Sequence, residues 1–311
     1  MNNSTILTVT LNPAIDKSTS TDLILPETKQ RCSNVLNEPG GGGINVSKAL
    51  KKLKASSVAL FPAGGYNGEM LKSLLMNEGI EFHSLNSIVE TRENWVVLET
   101  ETNNQFRFTF PGRSIEEQVV KDLIEDILSF SPEYVVSSGS LPPGLKDYFY
   151  GLIVKTANAV GAKCIVDTSG AALQALKGKH AFLIKPNIGE LCKMLNVKTL
   201  ADKEVPDAAQ QAIRDGFAEL VVVSMGPDGA WLVTNEKKYF AAAPKVKKRS
   251  TVGAGDSMVA GITYMLQQKQ HLQQVINFGV ACGTAATMNH GTQLFKLEDV
   301  HALYEQINGK K

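Results

Sequence analysis

Residues Tyr134–Asp167 read YVVSSGSLPPGLKDYFYGLIVKTANAVGAKCIVD and contain two short apolar runs separated by a loop and a helical pattern. The runs Tyr134–Ser138 and Cys164–Asp167 have strand length and little polar alternation, as expected of strands buried on both faces of a sheet. The stretch Leu145–Val160 has a helical pattern and lies between them. A strand, a helix and a second strand in this order predict a parallel sheet covered by helices.

The same alternation continues along the rest of the chain. Further strands are predicted at Ile6–Leu11, Val58–Pro62, Phe182–Ile184 and Leu220–Ser224. Helical patterns cover Ile44–Lys54, Gly68–Glu78, Glu116–Ser129, Pro206–Asp215, Ala254–Gln268, Leu272–Met288 and Leu297–Asn308. The predicted fold class is α/β, with one central and mostly parallel sheet that helices flank on both faces.

Two segments, at about residues 15–38 and 93–111, interrupt this alternation. The first is polar and has no helical pattern, and the second contains two strand-like runs, Trp95–Glu99 and Gln105–Phe110, around a polar turn. We predict that both form a small β-sheet inserted into a single domain of residues 1–311, where the sheet acts as a lid. Because a small sheet is marginally stable unless its second face is covered, we expect a homodimer through these sheets.

Composition and charge narrow the class of protein. The chain has 311 residues, a net charge of 32 − 31 = +1, and 43% hydrophobic residues, which is typical of a globular enzyme with a large core. The charge balance argues against a nucleic-acid partner. The four cysteines have no paired spacing and no apolar stretch reaches 18 residues, so we expect a reducing compartment, the cytoplasm, and no membrane span.

The segment Ser250–Ser257, STVGAGDS, leads directly into a predicted helix. Small residues at a helix start leave backbone N–H groups free to bind an anion. Asp256 lies at the mouth of this site. It either caps the helix or accepts a proton from a hydroxyl group that attacks a phosphate.

Two other segments carry polar groups at helix starts. Gly40–Gly43 allow a ligand to approach the backbone closely, and Asn45 can bind a sugar hydroxyl; the alternative is a flexible connection with a buried amide. Asn187 and Glu190 offer hard oxygen ligands for Mg²⁺, but their spacing also fits a helix capping box. From the residues alone, these alternatives stay open.

Two loops, Ser138–Gly144 and Ser224–Gly229, follow predicted strands. Loops at the carboxyl ends of parallel strands form the crevice in which open α/β sheets bind ligands. The chain contains no G-x-x-x-x-G-K-[ST], G-x-G-x-x-G or G-x-S-x-G motif, which excludes a P-loop enzyme and disfavours a dinucleotide-dependent dehydrogenase or a serine hydrolase.

These segments, in this order and together with Thr10–Asp16 (TLNPAID), resemble the ribokinase-like sugar kinases of the PfkB family over essentially the whole chain. Within the family, 1-phosphofructokinases and tagatose-6-phosphate kinases usually carry Gly-Gly-Lys-Gly where this chain has Gly40–Gly43. The resemblance therefore implies an ATP-dependent kinase that phosphorylates fructose 6-phosphate at its C1 hydroxyl. The alternatives are a tagatose-6-phosphate kinase, a 1-phosphofructokinase, or a non-catalytic sugar-phosphate sensor.

The resemblance also implies roles for matching residues. Asp256 is the expected base, and the catalytic amide donors are Gly253, Ala254 and Gly255. The residues expected to contact ATP are Lys185, Asn187, Ser224, Gly226, Gly229, Val280 and Asn289, with Mg²⁺ held by Asn187 and Glu190. The residues expected to bind the sugar are Asp16, Gly41, Gly42, Asn45 and Ser140, with Lys29, Arg31, Arg92 and Arg107 as candidates for its phosphate.

A K⁺ site beside the anion-binding segment is the last implication. Its expected ligands are Ser250, Val252, Ala286, Asn289 and Gly291. This chain has Gln293 where similar proteins are expected to have arginine. A ligand that acts through its backbone carbonyl survives that change, whereas a side-chain contact does not.

Overall fold

The computed structural model describes residues 6–289 and 293–309. Their strands are β1 Ile6–Val9, β2 Ala14–Thr21, β3 Ser33–Gly40, β4 Val58–Gly64, β5 Phe82–Ser87, β6 Arg92–Glu99, β7 Gln105–Thr109, β8 Tyr134–Ser138, β9 Lys163–Asp167, β10 Ala181–Ile184, β11 Ala218–Ser224, β12 Ala230–Val233 and β13 Lys238–Ala241. Their helices are α1 Gly42–Lys52, α2 Gly65–Asn77, α3 Glu117–Phe130, α4 Phe149–Ala159, α5 Gly170–Gln174, α6 Ile188–Leu195, α7 Val205–Arg214, α8 Ala254–Gln267, α9 Leu272–Thr287 and α10 Leu297–Ile307.

The larger sheet has the strand order β13-β12-β11-β10-β9-β8-β1-β4-β5. Its strands pair in parallel from β11 to β5, and only β12 and β13 pair antiparallel. The carboxyl ends of the parallel strands therefore meet along one edge. The predicted α/β architecture is confirmed, and the loops after β1, β8, β9, β10 and β11 share that edge.

Neighbouring residues of the central strands contribute to opposite cores. Val135 belongs to the cluster that packs against α3 to α7, whereas Tyr134 and Val136 belong to the cluster that packs against α1, α8, α9 and α10. Alternation of side chains along a strand produces this division. Because both faces are covered, the strands carry apolar residues at successive positions, which is the pattern that predicted them.

The second sheet has four strands in the order β3-β2-β6-β7. β2 pairs in parallel with β6, while β3 and β7 lie antiparallel at its edges. Both interrupting segments thus enter one small sheet, as predicted. One face of this sheet carries Asp16, Asn94 and Arg107, because directly paired residues point to the same side. Its other face carries Ile15, which packs against α2.

Some element boundaries differ from the sequence prediction. The helix predicted from Leu145 begins at Phe149, because the preceding Pro-Pro-Gly loop extends further and Gly144 has φ +82°. Strands β5, β12 and β13 were not predicted. β5 (FHSLNS) and β13 (KYFA) lie at the edges of the sheet and contain polar residues, whereas β12 (AWLV) is apolar but only four residues long. Among the residues that the structure describes, no helix is long and apolar enough to cross a lipid bilayer.

Candidate active site

Asp256 lies in the first turn of α8, on the edge where the parallel strands end. Gly253, at the N-cap, has φ +70°, a left-handed conformation that glycine adopts without strain. Within the described part of the chain, the amide groups of Gly253 and Gly255 donate no hydrogen bond. Unpaired amides at a helix N-terminus attract an anion, so the helix start has the property that the sequence predicted.

Each oxygen of the Asp256 carboxylate accepts one hydrogen bond from a side chain. Asn45 Nδ2 donates to Oδ2 at 2.9 Å, and Ser138 Oγ donates to Oδ1 at 3.3 Å. Burial and repulsion from Asp167 raise the pKa of Asp256 to about 6, although Asn45, Lys185 and Ser138 oppose that rise. The carboxylate therefore does not cap its own helix, and it titrates close to neutral pH, as a general base requires.

Lys185, directly after β10, forms a buried ion pair with Asp167 at the end of β9, with 3.2 Å between Nζ and Oδ1. Burial alone lowers the pKa of Lys185, but Asp167, Asp256 and Glu190 together raise it above its usual value. The ammonium group is therefore charged and faces three carboxylates. It lies beneath Gly255, where an added Cβ would be 3.4 Å from Nζ.

Asn187 and Glu190 form the capping box of α6. The Glu190 amide donates to Asn187 Oδ1 at 2.9 Å, and the Asn187 amide donates to Glu190 Oε2 at 2.8 Å. The helix capping box, which the sequence allows as the alternative to a Mg²⁺ site, is therefore present. Glu190 Oε1 accepts no hydrogen bond from the described residues, so one carboxylate oxygen stays available to a cation or its water shell.

The glycine segment Gly40–Gly43, where β3 passes into α1, brings backbone close to the side chains of Asp16 and Ser138. Gly41 has φ +116°, which favours glycine. A Cβ at Gly40 would lie 2.3 Å from Asp16 Oδ2, and one at Gly42 would lie 2.3 Å from Ser138 Oγ. The absence of side chains therefore lets the Asp16 and Ser138 side chains occupy space next to the start of α1.

The residues expected to bind the sugar lie around this segment. Asp16 Oδ1 accepts from Asn94 Nδ2 at 2.8 Å, and burial raises the pKa of Asp16. Asn45 Oδ1 is buried and has no hydrogen-bond partner among the described residues. Ser140 Oγ accepts from Asn12 Nδ2 at 3.2 Å and is exposed. These side chains offer acceptors and donors to a polyhydroxylated ligand between the small sheet and α8.

The four basic residues expected at the sugar phosphate do not come together. Arg92 pairs with Ala14 at one end of β2 and donates to the carbonyls of Asn12 and Phe110. Arg107 Nη2 donates to Thr251 Oγ1 at 3.1 Å.

Lys29 and Arg31 lie at the other end of the small sheet, where the Arg31 carbonyl accepts from Thr21. Seven residue steps along β2 separate Thr21 at that end from Ala14, which is about 23 Å at 3.3 Å per residue. Within one chain, the path of β2 therefore carries Lys29 and Arg31 away from Arg92.

A cavity of about 630 Å³ adjoins the α8 N-terminus. It is lined by Gly255 and by four of the residues that are expected to contact ATP, which are Ser224, Gly226, Gly229 and Val280. Lys185, Asn187, Ala286 and Asn289 do not line it, but Asn187 bridges to Ser224 through the backbone. The cavity is also lined by Thr251, which belongs to the STVGAGDS segment, and by Met258 and Thr284, which no distinctive sequence pattern marks.

The residues expected at a K⁺ site lie on two neighbouring segments. The Ser250 amide donates to the Thr287 carbonyl at 3.2 Å, which ties Ser250 and Val252 to the end of α9 near Ala286 and Asn289. Gly291 lies outside the described residues. The Gln293 carbonyl accepts from Lys52 Nζ at 3.0 Å and is therefore already paired with a cationic group.

Sequence comparison identifies the family. The pfkB family of carbohydrate kinases matches residues 9–299. The chain belongs to this family. It is 42% identical over 305 residues to ATP-dependent 6-phosphofructokinase isozyme 2 of Escherichia coli, which covers 97% of this chain and 99% of that protein. It is 34% identical over 293 residues to 1-phosphofructokinase of Bacillus subtilis, covering 93% of this chain and 95% of that protein.

Solved structures of pfkB kinases agree with this assignment. This chain aligns with phosphofructokinase-2 from E. coli in complex with potassium at a TM-score of 0.94 and 41% sequence identity. It aligns with the complex of the same enzyme with fructose-6-phosphate at a TM-score of 0.92 and 39% sequence identity. Both comparisons cover 97% of this chain and 99% of the other. Arabidopsis thaliana ribokinase has a TM-score of 0.75 at 16% identity over 96% of this chain and 98% of that chain, which shows the shared ribokinase-like fold.

Proposed function

We propose that this pfkB kinase transfers the terminal phosphoryl group of ATP to the C1 hydroxyl of fructose 6-phosphate, giving fructose 1,6-bisphosphate and ADP. The observation that carries the proposal is Asp256, a carboxylate with a pKa near 6 beside unpaired amides and the 630 Å³ cavity. The named activity of the E. coli relative supports the same substrate.

Each group has a distinct part in the proposed transfer. Asp256 accepts the proton of the C1 hydroxyl as its oxygen attacks phosphorus, and ADP leaves on the opposite side. The amides of Gly253, Ala254 and Gly255 stabilise negative charge on the phosphoryl oxygens, with Lys185 below them. The rest of the acceleration comes from holding both substrates in line and from excluding water.

Mg²⁺ fits the carboxylate side of this site. Asp167, Asp256 and Glu190 surround a single ammonium group, so the ionised cluster carries net negative charge that a divalent cation offsets. We propose that Glu190 and Asn187 hold Mg²⁺ through its water shell, since Mg²⁺ retains several waters in phosphate sites. When bound, the ion neutralises charge on the ATP phosphates.

A K⁺ ion near Ser250, Val252, Ala286 and Asn289 is part of the same proposal, supported by the potassium complex of the E. coli relative. A cation behind the α8 N-terminus strengthens its attraction for anions. Turnover in KCl is expected to exceed turnover in an equal concentration of tetramethylammonium chloride. Equal rates in both salts would contradict this part of the proposal.

The sugar is proposed to lie between Asp16, Gly41, Gly42, Asn45 and Ser140. The buried, unpartnered Asn45 Oδ1 is a ready acceptor for a sugar hydroxyl. Arg92 and Arg107 are the basic residues of the same chain that lie near enough to attract the sugar phosphate. The small sheet then acts as a lid, because it carries Asp16 and Arg107 on the face that looks toward the α8 segment.

We further propose a homodimer through the face of the small sheet opposite Asp16 and Arg107, beyond the end of that face where Ile15 packs against α2. Trp95, Phe106 and Phe108 lie on that face and are 44%, 37% and 48% exposed. Covering these side chains buries apolar surface that the chain alone leaves in water. Lys29 and Arg31 lie at the far end of the small sheet from Arg92, and we propose that they act across the dimer.

Trp95→Ser combined with Phe108→Ser is expected to convert the dimer into monomers, because it removes the aromatic surface proposed to be buried. Light scattering coupled to size exclusion measures the mass of both proteins. Tyr148→Ser, which removes an exposed aromatic ring next to α4, is the control and should stay dimeric. A wild-type monomer, or a double variant that stays dimeric, would contradict the proposed interface.

The reaction should weaken in acid with an apparent pKa near 6, because only ionised Asp256 accepts a proton. Since burial raises this pKa, the decline begins at higher pH than for an ordinary carboxyl group. The kcat measured between pH 5 and 8 at saturating substrates checks this expectation. Because the sugar phosphate also titrates near pH 6, the residual activity of Asp256→Asn serves as the reference, and it should lack this component.

A panel of phosphorylated ketohexoses with detection of ADP tests the substrate. Fructose 6-phosphate should have the highest kcat/KM, above tagatose 6-phosphate and fructose 1-phosphate. The similarity to a 1-phosphofructokinase favours fructose 1-phosphate as the second candidate, and a preference for it would overturn the first. Sugar-phosphate binding without any ADP release would establish a non-catalytic sensor.

A further inference from the structure

Ser138, the last residue of β8, contacts the proposed base but is not among the residues implied by the family resemblance. Its Oγ lies 3.3 Å from Asp256 Oδ1, while Asn45 Nδ2 lies 2.9 Å from Oδ2. The two donors come from β8 and α1, and the carboxylate comes from α8. Three elements that are distant in sequence therefore meet at one side chain.

We propose that Ser138 is a positioning residue that, with Asn45, fixes the orientation of the Asp256 carboxylate for proton transfer. This inference rests on the proposed function of Asp256 as the base. A hydroxyl group suits the role because its hydrogen can rotate. Ser138 can donate to ionised Oδ1 and then turn to accept a hydrogen bond once Oδ1 is protonated.

Gly42 maintains the space that this contact needs. A Cβ at Gly42 would lie 2.3 Å from Ser138 Oγ, 2.7 Å from the Ser138 carbonyl carbon and 2.8 Å from the Gly139 nitrogen. Rotation of Ser138 relieves only the first of these clashes, since the other two involve backbone atoms. A side chain at position 42 would therefore force the start of α1 and the end of β8 apart.

The charges around Asp256 indicate what loss of the hydroxyl does. Asp167 at the end of β9 faces the carboxylate and raises its pKa, whereas Lys185 beyond β10 lowers it. Ser138 and Asn45 lower the pKa by donating to the ionised form. Removal of Ser138 Oγ takes away one of the interactions that lower the pKa of Asp256, whereas burial and Asp167 still raise it. The pKa of Asp256 therefore rises further.

Ser138→Ala tests the proposal against Ser137→Ala as a matched control. Ser137 is the adjacent residue of β8, is fully buried, and its Oγ has no hydrogen-bond partner in the described chain. Side chains alternate along a strand, so Ser137 points to the opposite core. Ser138→Ala should lower kcat roughly tenfold, the effect of one lost hydrogen bond to a charged group, with little change in either KM.

The pH dependence distinguishes positioning from a general packing defect. In Ser138→Ala the acid limb of kcat should move to higher pH, whereas Ser137→Ala should match the wild type. A Ser138→Ala enzyme with wild-type kcat, or a loss of kcat with an unmoved acid limb, would overturn the inference. Thermal denaturation of both variants checks that they are folded.

A direct titration tests the contact without turnover. The Asp256 side-chain carbon, labelled with ¹³C and assigned by its absence in Asp256→Asn, should titrate at higher pH in Ser138→Ala than in the wild type. An unchanged midpoint would refute the contact even if the enzyme is an active kinase. If the wild type has no kinase activity, the proposed function fails instead, and the positioning role with it, whatever the titration shows. Should Ser138→Ala not fold, Ser138→Gly takes its place in both measurements.

Discussion

Asp256→Asn should lose about 10²–10⁴-fold in kcat while it still binds ATP and the sugar phosphate, because the amide keeps the shape of the side chain but cannot accept the proton. Asn45 can still donate to the new side-chain oxygen, so the site geometry is preserved. Turnover with each substrate saturating, together with calorimetric binding of fructose 6-phosphate, separates the two effects. A variant with near-normal kcat would refute the assignment of the base.

The same substitution should stabilise the folded protein at neutral pH. The pKa of Asp256 is raised in the folded state to about 6 from 3.8, so ionisation of this group disfavours folding. The cost is absent below the unfolded pKa, grows as pH rises from about 4, and is complete above about 6. Removing it is worth on the order of 2 kcal/mol after allowance for partial exposure.

Thermal unfolding measures this effect as a pH-dependent difference in Tm. Asp256→Asn should unfold a few degrees above the wild type at pH 7.5, and the difference should vanish at pH 4. Asp215→Asn is the control, because contacts with Lys177 and Gln211 lower the pKa of that surface carboxyl group. It should not gain stability at pH 7.5. Equal Tm values for wild type and Asp256→Asn at pH 7.5 would contradict the raised pKa.

Lys185→Met is the second change with a large expected effect. Lys185 and Asp167 form a buried pair, and removing one partner of a buried pair leaves an uncompensated charge, which typically costs about 3–5 kcal/mol. Here the remaining Asp167 also faces Asp256 and the ATP phosphates. We expect a marked loss of stability, a raised KM for ATP, and a lower kcat.

Lys177→Met provides the matched control for this variant. Lys177 Nζ pairs with Asp215 Oδ2 at 2.8 Å, but the lysine side chain is 62% exposed and lies away from the cleft. Surface pairs contribute little, so stability and kinetics should stay near wild type. Urea denaturation and the KM for ATP compare the two variants. Equal stability in urea and an equal KM for ATP in both variants would contradict the role of the Lys185–Asp167 pair in stability and ATP binding.

Much of the fold is predictable from local sequence. Continuous apolar runs such as Tyr134–Ser138 arise because both faces of the central strands are covered, and that pattern is visible without a structure. The position of the site is predictable for a related reason. Parallel strands place their carboxyl ends at one edge, so segments after separate strands had to converge there.

Pairwise contacts across the chain are less predictable. Asn45 and Asp256 are separated by 211 positions, and their hydrogen bond depends on how α1 and α8 pack against the same face of the sheet. Ser138 and Asp167 each end a predicted strand, which is the one signal that could have marked them. The separation of Lys29 and Arg31 from Arg92 within one chain could not be predicted, because the length and direction of β2 decide which end of the small sheet they reach.

The central claim is phosphoryl transfer to the C1 hydroxyl under the control of Asp256. ³¹P NMR of a reaction with ATP, Mg²⁺ and fructose 6-phosphate tests it most directly, because it identifies both the product and the position of the new ester. We predict one ADP for each fructose 1,6-bisphosphate with the wild type, and at most about one hundredth of that initial rate of product formation with Asp256→Asn. ADP without a new sugar phosphate ester, or equal product from both proteins, would contradict the account.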